Sequence, residues 1–147
     1  MKYQWGEREI LTLASMVERE AARTEERSVI ASVFFNRLDS PDFKPHRMLQ
    51  SDPTAAYGCA LHPELESCRG GYAHVTPEML RDAANAFNTY RHPGLPPGPI
   101  ANPGEAAIIA VLAPANTDFL FFVGNGDGRH TFTRTFEAHE AAVPRRH

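Results

Sequence analysis

Residues 7–23 read EREILTLASMVEREAAR. Ile10, Leu13, Ala14, Val17 and Ala21 recur at the i, i+3, i+4, i+7 spacing of one helix face. The stretch is therefore predicted to form an amphipathic helix. Two glutamates near its end take different sides, because positions two apart are separated by about 200°. With Ile10 at zero, the apolar stripe centres near ~340°, Glu20 falls near ~280° between Leu13 and Met16, and Glu18 falls near ~80° on the opposite shoulder. Glu20 is the carboxyl driven toward apolar surroundings, where loss of solvent disfavours the ionised form and raises the pKa. The alternative is that Glu20 rides the edge of the stripe and pairs with Arg23 or Arg27.

A second helix is predicted over about 26–38, with Val29, Ile30, Val33, Phe34 and Leu38 on its apolar side. A proline-broken polar loop, 39–48, follows. Ser51-Asp52-Pro53 has the composition of a helix start, and Gly58 is expected to end that helix early. Residues 59–75 hold both cysteines and no period, and read as an excursion loop. Thr76-Pro77 opens a helix predicted to reach about Phe87. Residues 88–101, NTYRHPGLPPGPIA, carry too many prolines for a helix or a central strand. Asn102-Pro103-Gly104-Glu105 is a capping signature, with Asn102 as the cap and Pro103 in first position. The helix it opens, about 103–113, is apolar nearly all round and is expected to be central. Phe119 to Val123 reads as a strand, Asn125-Gly126-Asp127-Gly128 as its turn, and His130 to Thr133 as its partner. Thr135 is placed to cap a short last helix. The expected class is α+β: helices packed on a small antiparallel hairpin-containing sheet, with a groove, in a single domain over 1–147.

The 147 residues are 42% apolar and 22% charged, which excludes disorder and fits one domain. A net charge of −3 with no basic block argues against nucleic acid as the main partner. No apolar run approaches the ~20 residues of a membrane span. Twelve prolines and ten glycines, clustered, predict long shaped loops.

Leu13-Ala14-Ser15-Met16-Val17-Glu18-Arg19-Glu20 resembles the hallmark segment of the endolytic murein transglycosylases, the MltG or YceG-like family. Ala31-Ser32-Val33-Phe34-Phe35-Asn36-Arg37-Leu38 resembles that family's second helix. Leu49-Gln50-Ser51-Asp52-Pro53-Thr54 with Tyr57-Gly58 is similar to its LQSDPT…YG block. Asn88-Thr89-Tyr90, Gly94 to Ile100 and Asn102-Pro103-Gly104 follow its long NTY…GLPPGPIANPG signature, and Phe119 to Phe122 with His130-Thr131-Phe132 its closing hairpin. These blocks, in order, cover nearly the whole chain.

The resemblance implies cleavage of peptidoglycan glycan strands between N-acetylmuramic acid and N-acetylglucosamine, leaving a 1,6-anhydro end. An ordinary glycosidase needs two carboxylates. Here the sugar's own 6-hydroxyl is the nucleophile, so one glutamate, Glu20, serves as general acid and then base, and no metal or organic cofactor is required. Gln50 and Asp52 are candidates for sugar contact or for polarising Glu20, against a capping role for Asp52. Asn88 and Tyr90 could stabilise an oxocarbenium-like transition state, or else bond backbone and pack a wall. Tyr57 could stack on a sugar or belong to the core. Leu95, Pro96 and Pro97 are expected to form a stiff groove wall. His130 is read as structural, with proton transfer as the alternative.

In an exported domain Cys59 and Cys68 would pair in a disulfide stapling the excursion loop. A zinc set of Cys59, His62, Cys68 and His74 is the rival. Three function classes stay open: the lytic transglycosylase, a hydrolase pairing Glu20 with Asp52 or Glu18, and a non-catalytic glycan-binding module of the wall-synthesis machinery. A pyridoxal-dependent lyase needs a Schiff-base lysine, and only Lys2 and Lys44 exist. The resemblance further implies an excised, soluble catalytic domain from an inner-membrane protein. Its anchor would lie outside this chain and its working face would be periplasmic or otherwise extracytoplasmic. Peptidoglycan strands are the implied partner, with cell-wall synthesis proteins as further ones.

Overall fold

The computed structural model describes residues 3–144. Among them six α-helices and one two-stranded antiparallel sheet form an α+β arrangement: α1 (Glu7–Glu20), α2 (Arg27–Asp39), α3 (Asp52–Leu61), α4 (Pro77–Arg81), α5 (Glu105–Leu112), β1 (Phe121–Gly124), β2 (His130–Thr133) and α6 (Phe136–Ala142). Helices α1, α2 and α5 pack against one another. Their apolar positions, Leu13, Met16, Val17, Ile30, Phe34 and Val111 among them, fill the main core. The hairpin pairs Phe121 with Thr133 and Gly124 with His130. It leans on α2, where Phe122 meets Phe34 edge-on at 5.9 Å, and α6 packs on its other side.

Local chemistry moved several boundaries from their expected places. Helix α1 stops at Glu20, because Ala21 is extended and the chain turns into a 3-10 turn at Thr24–Glu26. That puts Glu20 at an open helix end. Gly58 does not end α3, which runs to Leu61. Its missing side chain instead admits Asn85, whose Oδ1 would lie 1.8 Å from a Cβ there. The excursion loop therefore starts after Leu61 and contains a 3-10 turn at Glu66–Cys68.

Helix α4 ends at Arg81, not near Phe87, because Asn88 intercepts it. The Asn88 amide donates to the carbonyls of Met79, Leu80 and Asp82 at 3.0–3.1 Å. Asn102 does not cap α5; the cap position is Gly104. Its N–H donates to Glu18 Oε1 at 2.7 Å, so the anion that complements this helix start comes from α1. Nor is α5 enclosed: Ile109 and Leu112 are 53% and 50% exposed. Thr135 does cap α6, accepting from the Ala138 N–H at 3.1 Å.

Candidate active site

Glu20 lines a cavity of about 310 Å³ together with Arg37, Gln50, Asp52, Tyr90, the β1 residues Phe121 to Gly124, His130, Phe136 and His139. A larger cavity of about 850 Å³ shares Gln50, Phe121 and Phe136 with it. A third, about 390 Å³, shares Thr117, Asp118 and Arg134 with the second. Through these shared residues the three adjoin one another beside the hairpin, and Glu20 lines the first of them.

The carboxyl of Glu20 is pushed up to about 7. Burial is the main cause and the negative charge of Asp52 the next, while Arg37 and Arg19 pull the other way. Near neutrality this group is poised between acid and base. Asp52 stands at the start of α3 and accepts the Tyr90 hydroxyl at 2.6 Å. Burial and that bond raise the Tyr90 phenol above its ordinary value, so it remains a donor.

The segment carrying Gln50 is held in an unusual shape. Gln50 has φ +53°, a left-handed conformation that costs a non-glycine residue about 1 kcal/mol or more. It is pinned on both sides. The Gln50 N–H donates to Thr89 O at 3.2 Å and the Ser51 N–H to Thr89 Oγ1 at 2.9 Å. Thr54 Oγ1 meets Thr89 Oγ1 at 2.8 Å. On the other flank Arg37 Nη1 donates to Leu49 O. The strain is held in place by this dense set of bonds.

Arg37 is the residue the sequence reading missed. It is 5% exposed, donates from Nε to Leu120 O at 2.8 Å, and lies over the Phe43, Phe122 and Phe121 rings at 4.9, 5.7 and 5.8 Å. Burial lowers its pKa to about 10, which leaves it charged at neutral pH. It thereby ties buried Leu49, next to the cavity-lining Gln50, to Leu120 in the wall of the larger cavity. A signal existed: Arg37 stands three and four residues after Phe34 and Val33, inside the apolar stripe of α2. Phe121, Phe136 and His139 were also missed as cavity walls.

The chain as a whole is similar to known proteins. Residues 2–145 match the YceG-like family. The chain belongs to that family. It is 38% identical over 133 residues to an endolytic murein transglycosylase of Bacillus subtilis, covering 90% of this chain and 33% of that protein. With one from Streptococcus pneumoniae serotype 2 it shares 33% identity over 138 residues, 92% of this chain and 23% of that protein. A crystal structure of a YceG-like protein from Listeria monocytogenes superposes with a TM-score of 0.73 at 37% identity, over 93% of this chain and 39% of that one. The chain thus spans about a third or less of the curated relatives it matches.

The YceG-like fold brings together Glu20, Gln50, Asp52 and Tyr90, but not all the expected site residues. Asn88 is 0% exposed, and its amide is consumed by the α4 carbonyls while Oδ1 accepts from the Tyr90 N–H at 3.1 Å. It shapes the site from behind and is not available to a sugar. Tyr57 packs on the main core and meets Phe87 edge-on at 5.0 Å. Leu95, Pro96 and Pro97 line none of these cavities. Their loop is strapped along α1 well before Glu20, with Arg8 Nε on Pro97 O at 3.1 Å and the Ile100 N–H on Ser15 Oγ at 2.9 Å. The groove wall is the hairpin and α6. His130 lines the cavity, yet Glu26 takes both its Nδ1 and its backbone N–H at 2.9 Å, fastening the hairpin to the turn after α1.

Glu20 is not paired with Arg23 or Arg27. Arg23 reaches Asp127 O, and Arg27 lies 3.5 Å from Glu18. Cys59 and Cys68 are joined in a disulfide with Cα atoms 5.2 Å apart, which removes both thiolates from the zinc alternative. Among the described residues no group of three or more metal-ligating side chains converges, and no helix is long and apolar enough to cross a membrane.

Proposed function

We propose that this domain is a peptidoglycan lytic endotransglycosylase, cleaving the glycosidic bond between N-acetylmuramic acid and N-acetylglucosamine and closing a 1,6-anhydro ring. The observation that carries the reading is Glu20: a carboxyl raised to about 7 that lines a cavity beside the hairpin. Protonated, it gives its hydrogen to the bridging oxygen as that bond breaks. Ionised, it takes the proton from the 6-hydroxyl as the new C–O bond forms. One carboxyl ends as it began. Gln50 faces the same space and can donate to sugar oxygens, while the Tyr90 oxygen, whose proton is held by Asp52, can accept from a sugar hydroxyl. The names of the relatives support the substrate class, and the disulfide supports an oxidising, extracytoplasmic location.

Asp52 keeps a second reading alive, because a carboxylate beside the acid is what a water-using hydrolase requires. Glu18 does not serve that reading, since its oxygens are engaged by Gly104 and Arg27. Digestion of purified peptidoglycan, with products resolved by mass, separates the two. The expected product is one water lighter than the hydrolytic one and absent with Glu20→Gln. Hydrated ends would establish the hydrolase. No cleavage by the wild type, with binding retained, would leave a glycan-binding module.

A further inference from the structure

Phe136 is 59% exposed, the most open of the large apolar side chains among the described residues. Single exposed apolar residues are ordinary on protein surfaces. The others that exceed two-fifths exposure, Leu61, Tyr72, Ile109, Leu112 and Val143, line none of the three cavities. Phe136 alone among them lines two, being shared by the Glu20 cavity and the larger one.

Its placement is fixed from behind. The Phe136 ring lies 6.0 Å from Phe121 and 6.3 Å from His139, and His139 stacks on Phe121 at 5.2 Å. The three rings form a brace rooted in β1, with Phe136 its exposed member.

We propose that Phe136 is a saccharide-stacking platform, holding a sugar in the larger cavity that adjoins the Glu20 cavity. An exposed aromatic face carries negative quadrupole charge, and the C–H-lined face of a pyranose presents the complementary surface. A ring lining the reacting cavity fixes the tilt of the strand and so the position of the bridging oxygen beside Glu20. This inference rests on the glycan reading above and assigns a specificity-determining residue to it.

The test is binding, measured apart from cleavage. Soluble glycan strands, freed of stem peptides by amidase, are titrated into Glu20→Gln and into the same chain with Phe136→Ala, Phe136→Leu, Phe136→Trp or Tyr72→Ala. Phe136→Ala is expected to weaken binding roughly tenfold, the effect of returning about 55 Å² of apolar ring to water. Phe136→Trp is expected to keep affinity, Phe136→Leu to lose most of it, and Tyr72→Ala to change nothing. Equal affinity of the Ala variant, full retention by Leu, or an equal loss at Tyr72 overturns the platform, as does an absence of strand binding. Wild-type cleavage is followed in parallel. Its absence, with the Phe136 pattern in binding intact, overturns the proposed reaction and leaves the platform standing.

Discussion

Replacing Glu20 by Gln should make the protein more stable, and only on the alkaline side. The carboxyl of Glu20 rises from 4.5 to about 7 on folding, chiefly through burial. Between those values the folded chain keeps a proton that the unfolded chain has released. Stability therefore falls as pH climbs from about 4.5 to about 7 and then levels. At about 1.4 kcal/mol per unit the loss amounts to about 3 kcal/mol. Gln has nearly the same shape and never ionises, so it escapes that loss. Urea unfolding of both proteins at pH 4 and pH 8, disulfide intact, should show the Gln variant gaining about 3 kcal/mol on the wild type between the two. Other titrating groups are common to both chains and cancel in the difference. A stability difference that is the same at both pH values would falsify the claim that this carboxyl is held protonated by its surroundings. The same proton governs catalysis with the same sign. With resting Glu20 as the acid, kcat/KM should decline above pH 7 by about tenfold per unit.

Other perturbations probe the neighbours. Asp52→Asn removes a negative charge that raises Glu20 while leaving an oxygen for Tyr90 to donate to; the alkaline limb of the pH–rate profile should move to lower pH. Arg37→Met leaves the carbonyls of Leu49 and Leu120 without their guanidinium donors, so urea unfolding should register a loss of about 3 kcal/mol, and the Glu20 limb should move upward. Asn88→Ala abandons three carbonyls and should lower stability by about 2–4 kcal/mol. If it lowered kcat with an unchanged melting temperature, Asn88 would have to touch substrate after all.

The fold was legible where periodicity and polarity agreed. The stripe on α1 placed Glu20 toward the interior, and the same wheel set Glu18 on the far shoulder, where it accepts from the Gly104 N–H at the start of α5. The pairing of β1 with β2 followed from an apolar run, a glycine-rich turn and its return. What resisted reading is long-range. Gly58 looks like a helix stop from its neighbours, yet the reason for glycine is Asn85, twenty-seven positions on, pressing on α3. Asn88 looks like a polar loop residue, yet its partners are the ends of a helix that it terminates itself. The proline-rich segment reads as a wall because it is stiff, but stiffness does not say which surface it stiffens. Two strap contacts, at Arg8 and Ser15, decide that.

The same contrast explains why the site needs both halves of the chain. Gln50 occupies a conformation that its own residue type disfavours, so the segment cannot hold itself. Thr89 supplies bonds from one side and Arg37 from the other, and neither is near it in sequence. Arg37 in turn is tolerable inside the protein because two backbone carbonyls take up its donors and three aromatic rings face its charge. A buried cation thus ties the segment before Gln50 to the entry of β1 beside a carboxyl poised near neutrality, and its own charge keeps that carboxyl from rising still further. Removing Arg37 should therefore damage placement and proton affinity together, whereas Arg37→Lys, which keeps the charge but loses the planar fork, should leave the pH limb nearly in place and lower kcat/KM through misplacement alone.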